Sequence, residues 1–358
     1  MPVSVPRSRA VVVLLALVAG LLLFSSSAMA SDGRGVLYTQ TNDPNGNTVQ
    51  RFDRGPGGSL TSAGTFATGG SGLATLGGRQ GAVELSGDGR YLYAVNAGSD
   101  SVSVFRAGRH GTRLVDVVSS GGDAPASIAE HDGRVYVLNS GDVPSVTAFW
   151  RSHGGSLRAI GARELAPGAA GAAQVSVMPD GRSLVISERV ANRLEALPLD
   201  RYGRPGAPVV TVSSGAVPFG FGISPQGTIV VSEAGASTVS SYRLARDGAL
   251  RSVTASLAVG QGAACWVAVS PNGRFAYTGN AAGGISGFAI ARDGSLTSIG
   301  TTLLAPSPRD LDFDASGRYL HAVSPGGQAT VYRVGDDGSL TLSDTAPAAA
   351  GITGAAAL

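Results

Sequence analysis

Beyond residue 33 the apolar positions fall in short runs, and no stretch repeats the three-and-four spacing of an amphipathic helix. Tyr91-Leu92-Tyr93-Ala94-Val95, Val135-Tyr136-Val137-Leu138, Thr228-Ile229-Val230-Val231 and Phe275-Ala276-Tyr277 are representative. Each follows one copy of a polar turn: Asp88-Gly89-Arg90, Asp132-Gly133-Arg134, Asp180-Gly181-Arg182, Gln226-Gly227-Thr228, Asn272-Gly273-Arg274 or Ser316-Gly317-Arg318. The turn glycines lie 44, 48, 46, 46 and 44 residues apart. Asp or Asn before Gly between β-rich runs signals a hairpin, because these residues tolerate the left-handed backbone that a tight turn demands. A second signature follows about 22 residues later: Gly58-Ser59-Leu60, Gly155-Ser156-Leu157, Gly248-Ala249-Leu250, Gly294-Ser295-Leu296 and Gly338-Ser339-Leu340, with looser copies at Gly111 and Gly203. Each period therefore reads strand, turn, strand, loop, strand, turn, strand. Four short strands every ~46 residues make one propeller blade. Seven copies predict an all-β, seven-bladed β-propeller with four antiparallel strands per blade.

The two ends of the pattern fit one another. Ser31-Asp32-Gly33-Arg34 and Val36-Leu37-Tyr38 supply a turn and a second strand with no first strand before them. Gly351-Ile352-Thr353-Gly354-Ala355-Ala356-Ala357-Leu358 is an apolar run with no turn after it. Joined, they complete a blade from a C-terminal inner strand and three N-terminal strands, which hides edges that would otherwise invite aggregation.

The first thirty residues read differently. Arg7 and Arg9 precede an apolar run over 10–24, too short to span a bilayer, and Ala28-Met29-Ala30 supplies an A-x-A cleavage site. This predicts a secretory signal peptide over 1–30 cut after Ala30, a secreted single propeller over 31–358, and no membrane attachment after cleavage. Losing Arg7 and Arg9 from the 27 positive residues leaves 25 against 25 acids, and all are Arg. With no basic block, phosphate-led binding of nucleic acid is not expected. Cys265 is the single cysteine, so no internal disulfide can form. The 53 Gly and 18 Pro have no three-residue period, which excludes collagen.

Labelling the strands of a blade a to d from the inside out, the two signatures join a to b and c to d on one face. The b–c and d–a loops share the other face and carry the length variation, at 42–47, 69–80 and 167–172. That face of the channel is the expected binding mouth. Thr41, Asn96, Asn139, Glu188, Glu233, Asn280 and Ser324 recur at the ends of the b strands. They read either as a polar ring or as loop-starting side chains that bond to nearby backbone. Inner strands begin with Arg79 and Gln80, Gln174, Phe219 and Phe221, Cys265 and Trp266, and Arg309 and Asp310. Phe219 and Trp266 are expected to plug the channel, to pack between blades or, with Phe221, to form an apolar wall for a ligand. Arg79, Gln174, Glu188 and Asn280 are the further ligand-binding candidates. Strand alternation places Asp310, Asp312 and Asp314 on one side, where they would meet arginines and strand ends between blades, or a hard cation. His110, His131 and His153 fall on the turn face and His321 within a b strand, so no histidine is placed as a general base at the mouth. Cys265 reads as a buried structural thiol. No phosphate loop, dinucleotide fingerprint or zinc spacing is present, and no cofactor or metal site is expected.

The stretch Ser270 to Gly300, SPNGRFAYTGNAAGGISGFAIARDGSLTSIG, resembles blades of the lactonase-type seven-bladed propellers. That family includes 6-phosphogluconolactonases and carboxy-muconate cyclising enzymes. The resemblance spans the whole mature chain and rests on structural turn motifs. It implies catalytic polar groups on consecutive inner strands: a His, an Arg-His pair, a Glu after a b strand and a later acid or Arg. Counted from the turn glycines, the His position falls near Ala173, the Arg-His pair near Phe219 and Gly220, and the later acid near Trp266. Glu233 lies within one residue of the family's b-strand Glu.

Three functions follow as expectations. The first is a divergent or non-catalytic secreted propeller that binds a small molecule or extracellular partner at the b–c face. The second is a lactone or ester hydrolase of the 6-phosphogluconolactonase type, with Glu233 as base and Arg79 or Arg309 stabilising the oxyanion. The third is an interaction scaffold that uses its rim. No long apolar surface run marks a subunit interface, so a monomer is expected.

Overall fold

In a computed structural model, residues 1–3, 33–73, 79–108, 111–302 and 307–358 are described. Most of the expected signal peptide (residues 4–30) and the turn carrying His110 lie outside them. Gly33–Leu358 forms one compact unit.

The larger unit is a ring of seven four-stranded antiparallel sheets, a seven-bladed β-propeller. Blade one orders Thr353–Ala357, Gly35–Gln40, Thr48–Arg54 and Leu60–Ala67 from the inside out. The C-terminal strand therefore closes the ring on the N-terminal three, as the unmatched ends require. The inner strands of blades two to seven are Val83–Leu85, Pro125–His131, Ala172–Val177, Pro218–Ile223, Gly262–Val269 and Asp310–Phe313.

Each b strand is pressed between neighbouring blades. Tyr91–Asn96, Thr228–Glu233 and Tyr319–Ser324 are buried at every position, which is why they read as unbroken apolar runs rather than alternating ones. The outer strand Leu250–Ala258 is largely exposed. Gly89, Gly133, Gly181, Gly227, Gly273 and Gly317 all turn at φ between 64° and 80°, the conformation the signature required.

The seam between blades seven and one has extra fastenings. Within blade one, Val36 N donates to Leu358 O at 3.1 Å and Leu358 N to Val36 O at 2.8 Å, extending the closing pair of strands; the other contacts cross to blade seven. Asp310 Oδ2 accepts Ala355 N at 3.0 Å, and Asp312 Oδ2 accepts Ala357 N at 2.8 Å. Asp314 forms a buried 2.8 Å ion pair with Arg54, whose guanidinium lies 4.1 Å from the Tyr319 ring centroid. The three aspartates thus meet strand ends and an arginine between blades.

At the level of the channel mouth the inner strands bulge. The pairing register shifts between Pro125 and Ser127, Ala172 and Gln174, Pro218 and Phe221, and Ala264 and Trp266. A bulge admits one extra residue and re-aims its neighbours. It decides which side chains reach the channel.

Candidate functional site

The mouth on the b–c side gathers residues from five blades. Phe219 and Trp266 meet edge to face, ring centroids 5.6 Å apart, and pack with Cys265 as a small apolar cluster. Two strained residues lead into this wall: Val217 at φ 61° before Phe219 and Ala263 at φ 55° before Cys265. A β-branched residue at positive φ is a backbone outlier of the kind that persists where surrounding structure holds a site in place. Asn192 Oδ1 accepts Val217 N at 2.7 Å and helps hold it there.

Three guanidiniums surround this wall. Arg189, just past the b strand of blade four, lies 5.2 Å from the Phe219 ring centroid. Arg79 comes from blade two and is 6% exposed, and its Nε has no partner. Burial, and then the Arg189 charge, push its pKa down to about 10. Burial also lowers Arg189, and its Nε is unpartnered too. Arg309 opens the inner strand of blade seven, and its charge and that of Arg189 both reach Cys265. Burial outweighs them and pushes the Cys265 thiol up to about 11, so the thiol stays protonated and poorly nucleophilic at neutral pH. The Trp266 Nε1–H, nearly buried, also lacks an acceptor. Among the described residues no carboxylate pairs with Arg79, Arg189 or Arg309. Part-buried guanidiniums with free N–H groups are chemically suited to carboxylate or phosphate oxygens.

Beneath the mouth, Gln80 reaches from blade two across the channel to blade six, where its amide both donates to Val267 O and accepts Val267 N. A Cβ on Gly220 would strike Gln80 Oε1, so glycine there admits the crossing. Below lies a polar cavity of about 80 Å³ lined by Glu84, Asp310 and Asp312. Burial, with repulsion from neighbouring acids, raises all three carboxyls, Asp312 to about 7. Glu84 has no hydrogen-bond partner among the described residues.

Of the nine residues singled out from the sequence, Arg79, Phe219, Trp266 and Arg309 converge at the mouth. In the other five the polar groups are occupied or the ring is buried between blades. Glu233 is fully buried and accepts from Gly215 N at 2.6 Å, Ser240 Oγ at 2.6 Å, Ser213 Oγ at 3.3 Å, Ser256 Oγ at 3.5 Å and Thr238 Oγ1. Glu188, also fully buried, takes Ala170 N at 2.9 Å and Arg193 Nε at 2.8 Å. Asn280 bonds Ser286 at 2.9 Å and Thr278 at 3.1 Å. These b-strand-end groups fasten the adjoining strand and loop of their own blade, so they form no ring at the mouth. Gln174 lies in the channel, but its amide is occupied by Phe221 N at 2.6 Å and Phe221 O at 2.8 Å. Phe221 is 1% exposed and packs between blades four and five with Val185, Leu194 and Tyr242.

Arg189 is the residue that sequence reasoning missed. Its neighbour Glu188 drew attention, yet adjacent strand residues point to opposite sides. The signal was available: a charged residue immediately after a b strand, on the loop side.

A profile of the family described as Lactonase, 7-bladed beta-propeller, matches residues 44–165, 145–267 and 260–353. The chain belongs to this lactonase-type propeller family. Similar solved structures include a Bacteroides uniformis protein named provisionally as a 6-phosphogluconolactonase, with TM-score 0.77, 18% identity, and 91% of this chain and 99% of that one covered. The Pseudomonas aeruginosa periplasmic gluconolactonase aligns with TM-score 0.68, 18% identity and coverage of 91% and 99%. At such identity these likenesses concern the fold. An uncharacterised protein of Staphylococcus saprophyticus is 34% identical over 91 residues, which is 24% of this chain and 26% of that protein.

Proposed function

We propose that this lactonase-family propeller is secreted and binds a small organic anion at the b–c mouth of its channel. One observation carries the reading: Arg79, Arg189 and Arg309 surround the Phe219–Cys265–Trp266 wall with no carboxylate among them. Guanidiniums grip carboxylate and phosphate bidentately, and burial strengthens the attraction by lowering the local dielectric. Phe219 and Trp266 would hold the apolar body of the ligand, and Trp266 Nε1–H would donate to a further oxygen. Secretion rests on the leader pattern of 1–30.

Family membership favours a second reading, hydrolysis of a lactone at the same mouth. Arg79 or Arg309 would stabilise the oxyanion there. Glu233, enclosed by its five donors, is not positioned to activate water, so the base would have to be another group. The rim-scaffold alternative leaves the unpaired guanidiniums at the mouth without a role.

Calorimetric titration of the mature protein with 6-phosphogluconate, gluconate and inorganic phosphate tests the first reading. Saturable binding that weakens at least tenfold in Arg79→Ala, about 1.4 kcal/mol, supports it. A lactone panel on the same protein and on Arg309→Ala tests the second, with turnover above buffer that the variant loses as the supporting result.

A further inference from the structure

Among the described residues, only two aromatic rings are substantially exposed, Trp150 at 47% and Tyr202 at 53%. They meet at one seam on the turn face, opposite the mouth. Trp150 lies on the strand Ser145–Arg151 of blade three, and Tyr202 tips the turn after Arg193–Pro198 of blade four. Arg134, the cross-strand partner of Trp150, bridges them. Its guanidinium lies 5.8 Å from the indole centroid, and its Nε donates to Tyr202 O at 3.4 Å. Gly203 makes room for this arm, since a Cβ there would strike the Arg134 side chain. Arg201 and Arg204 flank the Tyr202 ring at 4.4 and 5.5 Å.

These groups line a depression of about 310 Å³. Trp150 also borders a cleft of about 480 Å³ between blades two and three, and Arg204 borders a further depression of about 530 Å³. The three form a continuous furrow. Among the described residues, no acid lies within ion-pair distance of Arg134, Arg201 or Arg204. Asp200 Oδ1 is occupied by the turn's own N–H groups of Tyr202 and Arg204, at 2.8 and 2.9 Å.

We infer that this furrow binds an acidic oligosaccharide. Exposed indole and phenol faces stack on the apolar faces of sugar rings, and three guanidiniums match the carboxylate of a uronate. The adjoining cleft carries Asp88 and Asp132, whose oxygens can accept from sugar hydroxyls. A nucleic-acid backbone offers these carboxylates phosphates and few hydroxyls, whereas a uronate chain brings hydroxyl donors on every ring, so the footing suits the saccharide better. This inference is independent of the mouth.

The test is calorimetry of the mature protein with α-1,4-trigalacturonic acid at low salt. Binding is expected, weakened at least tenfold in Trp150→Ala and in Arg134→Gln, while 6-phosphogluconate binding at the mouth is unchanged in both. Neutral cellotriose should bind at least tenfold more weakly than the uronate. No binding of trigalacturonic acid, equal binding by Trp150→Ala, or tighter binding of a twelve-nucleotide oligo-dT would overturn the assignment.

Discussion

Arg189 lies with its guanidinium carbon 5.2 Å from the centre of the Phe219 ring, two side chains from different blades that meet over the channel. The aromatic face steadies the cation and leaves its Nε free for a ligand. Lys cannot reproduce a flat, forked donor. Arg189→Lys should therefore lose several-fold in affinity for an organic anion, with an unchanged melting curve. Calorimetry paired with thermal denaturation separates the two effects.

Phe219 is 7% exposed. Replacing it by Ala opens a cavity beside Trp266 and should cost about 3 kcal/mol of stability. Phe219→Leu keeps most of the apolar volume but removes the ring beneath Arg189. It should retain nearly wild-type stability and still weaken anion binding several-fold. Denaturant titration and calorimetry on the two variants distinguish packing from cation positioning.

Glu233 holds five donors in a fully buried knot. Glu233→Gln replaces one acceptor oxygen with a donor facing donors. Leaving buried polar groups unsatisfied costs about 1–3 kcal/mol each. A fall in stability of that order is expected from denaturant titration, with affinity at the mouth unchanged.

The C-terminal strand closes the ring through pairing with Gly35–Gln40, the Asp310 and Asp312 contacts, and Ile352, which is fully buried. Deleting 352–358 should lower the melting temperature by several degrees. An unchanged curve would contradict closure by this strand.

Burial pushes Asp312 up to about 7 from the usual carboxylate range. A carboxyl raised in the folded state binds its proton more tightly there than in the unfolded chain. Its contribution to stability is complete below about pH 4 and is lost as pH rises to about 7. Asp312→Asn removes that titration. Relative to wild type, the variant should therefore gain stability between pH 5 and pH 8, as read from denaturant midpoints. A pH-independent difference would contradict the shift.

The fold was legible because two glycine turns repeat at a nearly constant interval, and a left-handed turn leaves few substitutes for glycine. The closure was legible because a half-blade at each end has only one partner. The site was legible in part. Arg79, Phe219, Trp266 and Arg309 followed from their places at the starts of inner strands. Phe221 did not join Phe219 because the bulge between Pro218 and Phe221 breaks the period-two rule that linked them. Glu188 and Glu233 looked functional because Glu starts a turn less readily than the Asn and Ser found at the equivalent positions. Their partners, Arg193 in one case and several hydroxyls in the other, are fixed only by strand pairing, which sets Arg193 opposite Glu188 and Thr238 opposite Glu233. The raised carboxyls of the channel were hidden for the same reason: Glu84 and Asp312 lie far apart in sequence and face one cavity.

The most direct measurement is the affinity of the mature protein for 6-phosphogluconate by calorimetry, wild type against Arg79→Ala, with melting curves alongside. Saturable binding by wild type, at least tenfold weaker in a variant that melts normally, is the result expected if the three arginines form an anion site. Absence of binding by 6-phosphogluconate, gluconate and phosphate alike, or equal affinity in the variant, would contradict it.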